Sequence, residues 1–146
     1  MAISSAICNT FKQQILVGTH NFTASSGDTF NIALYTSSAS MGASTTAYVS
    51  TNEISNTAGS AYSAKGKVIT SVTPALDGST ACCDFADISW TSASFTANGC
   101  LIFNDTVAGD PAVCVVAFGG DKTVTSGTFT IEFPAADASN AIVRIA

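Results

Sequence analysis

The feature that most constrains the fold is an unbroken alternation over residues 93–104. Ala93, Phe95, Ala97, Gly99, Leu101 and Phe103 fall on one side, and Ser94, Thr96, Asn98, Cys100, Ile102 and Asn104 on the other. A period of two held over that length specifies an antiparallel strand with one face in a core and the other toward water. Phe129, Ile131 and Phe133 alternate in the same way with Thr128, Thr130 and Glu132, and Phe30, Ile32 and Leu34 with Asn31, Ala33 and Tyr35. Further strands are expected over 64–72, 79–85, 112–118 and 140–145, with Ile88 and Trp90 forming a short apolar pair. The separators carry turn chemistry: Gly27-Asp28, Asp77-Gly78, Gly109-Asp110-Pro111, Gly119-Gly120-Asp121 and Ser126-Gly127. Residues 101–104 and 112–118 flank a short loop and read as a hairpin. Seven or eight short strands of this kind predict an all-β chain: an antiparallel β-sandwich or a jelly-roll-like small barrel.

One segment departs from period two. Ile7, Phe11 and Ile15 recur at four-residue steps with Leu16 beside them, which predicts one short N-terminal helix near residues 5–17. Asn9 or Thr10 is its candidate cap and Gly18 its stop. A helix this short is marginal alone and has to pack on its own domain or on a neighbour. The chain reads as a single domain over 1–146, with an N-terminal helical arm over 1–20 and a β-domain over 29–146. The expected core is Phe30, Ile32, Leu34, Phe95, Leu101, Phe103, Val115, Phe129, Ile131 and Phe133. Between two strand candidates lies a Ser/Thr-rich excursion over 36–57, broken by Tyr48-Val49; excursions of that length in compact domains are often functional.

The search for chemistry returns little. His20 is the only histidine, no nucleophile-elbow pattern surrounds it, and it reads as a hydrogen-bonding or packing residue. Asp84 and Asp87, like Asp105 and Asp110, read as turn residues that accept backbone hydrogen bonds. Gly119-Gly120-Asp121-Lys122-Thr123 lacks the first glycine of a phosphate loop and reads as a hairpin turn. Trp90 and Phe95 suit a core better than a sugar-stacking platform. Cys8, Cys82, Cys83, Cys100 and Cys114 are odd in number, and no leader is visible at the start, so reduced, buried thiols are expected rather than disulfides or metal ligands. Asn21-Phe22-Thr23 and Asn104-Asp105-Thr106 match the glycosylation pattern without a secretory route to use it.

Composition narrows the partners. Ten acidic residues stand against five basic ones, a formal net charge of −5, which argues against nucleic acid. No apolar run approaches a membrane span. Charged residues are only 10% of the chain, hydrophobic ones 47%, and about a quarter of the chain is Ser or Thr. Exposed faces covered by Ser, Thr, Ala and Asn suit a protein packed against copies of some partner.

Three runs and one turn then carry a resemblance: Phe11-Lys12-Gln13-Gln14-Ile15-Leu16-Val17-Gly18-Thr19-His20-Asn21-Phe22; Phe30-Asn31-Ile32-Ala33-Leu34-Tyr35-Thr36-Ser37; the ending from Phe133-Pro134-Ala135-Ala136-Asp137 through Ala141-Ile142-Val143-Arg144-Ile145; and Gly119-Gly120-Asp121-Lys122. Across nearly its whole length the chain resembles a family of small structural proteins of tailed bacteriophages. The resemblance implies a non-enzymatic virion protein assembled in the host cytoplasm, with no catalytic residue, cofactor or metal. It implies a capsid cement or decoration protein whose partners are the major capsid protein and sister subunits, as a homotrimer. The alternative is a tail, baseplate or fibre component, such as a host-binding module, but no heptads or fibre repeats are visible. The expected contact residues are Ile7, Phe11 and Ile15 on the helix and Tyr48 and Val49 on the excursion. The contact is expected to be mainly apolar and hydrogen-bonded.

Overall fold

The computed structural model describes residues 2–146; residue 1, at the head of the expected arm, lies outside the described residues. The chain runs β1 (Ala6–Ile7), α1 (Asn9–Leu16), β2 (Phe30–Tyr35), β3 (Lys67–Ile69), β4 (Ser71–Asp77), β5 (Thr80–Phe85), β6 (Ile88–Asn104), β7 (Ala112–Ile131) and β8 (Val143–Ile145). These strands form two antiparallel sheets, a five-stranded one ordered β1-β7-β6-β2-β3 and a three-stranded one ordered β4-β5-β8. The all-β, sandwich-like class with one short helix is therefore present.

The alternation of β6 has two regimes. Over its first part Ala93, Phe95 and Ala97 are buried while Thr96 is exposed. From Gly99 to Asn104 every residue is buried, as is all of its partner β2. The sheet centre is covered on both faces, and the two covers can be named. On the face of Leu101 and Phe103, the irregular excursion after β2 folds back: Tyr48 stacks on Phe103 at 4.9 Å, and Met41, Ile54 and Tyr62 are buried. On the face of Ile102 and Asn104, Phe30 meets Phe22 at 4.4 Å and Phe85 of the small sheet at 5.9 Å, and α1 lies above them through Phe11.

Two expectations are corrected. Gly119-Gly120-Asp121 and Ser126-Gly127 are not hairpin turns, because they lie inside β7, one strand from Ala112 to Ile131. The register slips from Ala97↔Lys122 to Gly99↔Ala117, so β7 carries extra residues there. Gly119 and Gly120 take φ +75° and +142°, conformations that side chains resist and bulges use. A second slip sits at Ser126, also at positive φ. The helix is also shorter than expected, because Ala6 and Ile7 are extended and pair with Val115 and Cys114. β4 had no separate expectation: Pro74 and the polar Ser71 and Thr73 hide it, and its register slips between Val72 and Ala75.

Of the expected core, Phe30, Ile32, Leu34, Phe95, Leu101, Phe103 and Val115 are buried. Phe129, Ile131 and Phe133 are only half-buried: the first two lie along the outer stretch of the β6–β7 ribbon, and Phe133, past the end of β7, packs on Phe85. Phe103→Ala is expected to cost about 3–5 kcal/mol and Phe129→Ala clearly less, measured by chemical denaturation. Equal losses would contradict this layering.

Candidate functional site: an uncharged apolar cleft

The site is built at the end of α1. The helix starts on backbone bonds, Cys8 N–H to the Val113 carbonyl and Asn9 N–H to that of Ala43. It ends in a Schellman motif: Gly18, at φ +75°, donates to the Ile15 carbonyl, and Thr19 N–H donates to that of Gln14 at 3.0 Å. This stop aims His20 into the interior, where its ring lies 5.0 Å from Phe11.

His20 is held at both nitrogens. The Asn104 Nδ2 amide can only donate, so Nδ1 of His20 accepts it at 3.1 Å. The proton therefore sits on Nε2, which donates to Gln14 Oε1 at 2.9 Å and ties the imidazole back to α1. Asn104 Nδ2 also donates to Asp28 Oδ2 at 2.8 Å, while Asn104 Oδ1 accepts the backbone N–H groups of Thr106 and Val107. Burial pushes the imidazole below its usual range, against the opposing pull of Asp28.

Opposite α1 stands the small sheet. Leu76 pairs with Ala81, and Ala81 with Ile145, so the three form one row across all three strands. Ala81, Cys83, Val143 and Ile145 share a face that, with Phe11, Ile15 and Phe22, lines a cleft of about 370 Å³. No Asp, Glu, Lys or Arg lines it. An eight-residue helix covers only part of this face: Val143 is buried, but Ile145 is 55% exposed and Leu76 73%. At the end of α1, Leu16 is 86% and Val17 65% exposed. Among the described residues seven large hydrophobic side chains are exposed; Ile145 is the one that lines the cleft, and Val72, paired with Asp84, lies on the opposite face of the small sheet. An open apolar cleft of this kind is a candidate contact surface.

The expected contact residues divide. Ile15 and Phe11 line the cleft, Phe11 as its buried floor. Ile7 lies on β1 beside Cys114, away from it. Tyr48 is half-buried, stacked on Phe103, and its hydroxyl donates to Glu53 Oε2 at 2.6 Å. Tyr62 donates to Glu53 Oε1 at 2.7 Å, and Tyr35 to the Val49 carbonyl, so three phenols fasten the excursion to its own domain. Burial and the Glu53 carboxylate push the Tyr48 phenol up to about 12. Val49 itself is half exposed. The surface residues missed from sequence are Leu76 and Ile145, whose row depends on a pairing of three strands.

The other candidates for chemistry are occupied within the fold. Asp84 accepts from its neighbour's Phe85 N–H and Asp87 from Phe133 N–H. Asp105 and Asp110 flank Lys65 at 2.9 and 2.8 Å. All five cysteines are free. Burial raises Cys8 to about 11 and Cys100 to about 12, which leaves them as unreactive thiols.

Because the fold holds His20 neutral, the unfolded chain takes up its proton first as pH falls. That contribution to stability is intact above about pH 6.5 and declines as pH drops below it. The imidazole C–H resonances, unique in this chain, are expected to titrate below 6.5 by NMR. A midpoint at or above 6.5 would contradict the buried, doubly bonded ring.

No protein-family model matches the chain, and no curated protein or solved structure does either.

Proposed function

We propose that the chain is a non-enzymatic structural protein of a tailed-bacteriophage virion, a cement or decoration protein on the outer capsid shell. The virion assignment rests on the sequence resemblance; the structural role is supported by the uncharged apolar cleft between α1 and the small sheet. A chain that buries its central strands on both faces, yet leaves an uncharged apolar cleft open beside the exposed Ile145, has a surface suited to protein contacts. Its partners under this reading are the major capsid protein and sister subunits.

The physical mechanism is additive. A subunit bound across a boundary between capsomers buries area that must be lost before they separate. The stabilisation follows mass action at each site and is repeated over many copies. A contact without charge resists the ionic changes a free particle meets.

The test is electron microscopy of virions labelled with gold-conjugated antibody against this chain. Gold distributed over the head is the expected result. Gold confined to the tail would overturn the cement role in favour of a tail component, and its absence from virions would overturn the virion assignment.

A further inference from the structure

We propose that His20 is an acid-operated latch: when its ring takes up a proton, the C-terminal end of α1 leaves the fold and the α1–small-sheet cleft opens, while both sheets stay folded. The latch belongs to the chain itself and does not depend on the virion assignment.

The hydrogen bonds leave no place for the proton. In the neutral ring Nε2 donates to Gln14 Oε1, and Nδ1 accepts from Asn104 Nδ2. A proton on Nδ1 sets a donor against a donor, 3.1 Å away in a buried site. Turning the Asn104 amide over does not relieve this. Its oxygen would then face Asp28 Oδ2, and its nitrogen the N–H groups of Thr106 and Val107. The way out that breaks the fewest bonds is for the ring to leave.

The groups around the ring do not hold it in place once charged. The loop after α1 brings Asp28, whose carboxylate attracts the proton, but Oδ2 of Asp28 already accepts from Asn104 Nδ2 and the Asn21 N–H. α1 carries one ionisable group, Lys12, held on Asn9 Oδ1. β2 brings the Phe30 ring, β6 the neutral Asn104, and β5 the thiols of Cys82 and Cys83. β4 and β8 bring no ionisable side chain to the cleft. Burial outweighs the pull of Asp28 and keeps the imidazole below its usual range.

The helix is joined so that one end can yield. Its start is pinned by Cys8 N–H on the Val113 carbonyl and Asn9 N–H on that of Ala43. Its far end is tied in through Gln14 on His20 and Phe11 against the same ring. Gly18, at φ +75° with open space where a side chain would stand, leaves room for the chain to swing. Ile15 lines the cleft from this moving end, so its departure widens the cleft. With the ring in water His20 titrates near its ordinary value of about 6.5. Protons therefore bind the open form more tightly, and opening increases as pH falls below that value.

Native-state hydrogen exchange on the purified full chain, followed from about pH 7.5 to about pH 5 and corrected for the intrinsic exchange rate, tests the latch. Peptides over 9–20 are expected to lose protection by up to about tenfold per pH unit below about 6.5, with the β2–β6 ladder unchanged. His20→Asn keeps an oxygen for Asn104 Nδ2 but does not titrate, and is expected to abolish this pH dependence. A flat wild-type series, a loss shared equally by the ladder, or a variant with the wild-type pH dependence would each overturn the proposal. Should His20→Asn fail to fold, Asp28→Asn takes its place. It keeps an acceptor for Asn104 but removes the one anion facing the ring, so the onset is expected to move to lower pH; an onset that does not move would overturn the proposal.

Discussion

The arrangement of this chain depends on one buried carboxamide. Asn104 ends the long strand β6 with no solvent exposure, and its side chain makes four hydrogen bonds, two as donor and two as acceptor. That is the full capacity of an amide, and in a water-excluded site each unmade bond costs about 1–3 kcal/mol. Through them it joins three pieces distant in sequence. Asp28 fixes the loop after α1, Thr106 and Val107 start the turn toward β7, and His20 passes the link to Gln14 on the helix itself. The helix has neither a side-chain cap nor the length to stand alone. Its position is set by this polar chain and by Phe11 packed on His20 and Phe22.

The cleft follows from that position. The helix is held over the Val143 end of the small sheet, and the row Leu76–Ala81–Ile145 lies beyond its reach. The five-stranded sheet shows the opposite solution. There the excursion covers the second face, held by the Tyr35 hydroxyl on the Val49 carbonyl, the Tyr62 hydroxyl on Glu53 and the Tyr48 ring on Phe103. The small sheet, by contrast, turns toward the cleft a face of Ala81, Cys83, Val143 and Ile145, none of them charged.

Much of the fold was legible where one residue pattern decides it. β2, β5 and β6 were legible as strands, though not the burial of β2 and of Gly99–Asn104 on both faces, and the Gly18 stop follows from glycine's access to positive φ. The merging of β7 was not legible, because Gly119-Gly120 has the same composition in a bulge as in a turn. Nor was β4, in which Pro74 argues against a central strand but is tolerated on an edge. The site was legible by half. Ile15 and Phe11 are visible as a helical stripe, whereas Leu76 and Ile145 become neighbours only through Ala81, a pairing that no local pattern announces. Tyr48 stood out as an aromatic among small polar residues, and much of its ring is spent on Phe103 within the same chain.

The claim that Asn104 holds α1 in place is tested most directly by native-state hydrogen exchange on Asn104→Ala, read by mass spectrometry over peptides spanning 9–20 and the paired stretch of β2 and β6. The account predicts that α1 loses protection far more than the β2–β6 ladder, because His20 loses the amide that orients it. Wild-type protection of α1 in this variant, with the strands equally unaffected, would contradict it.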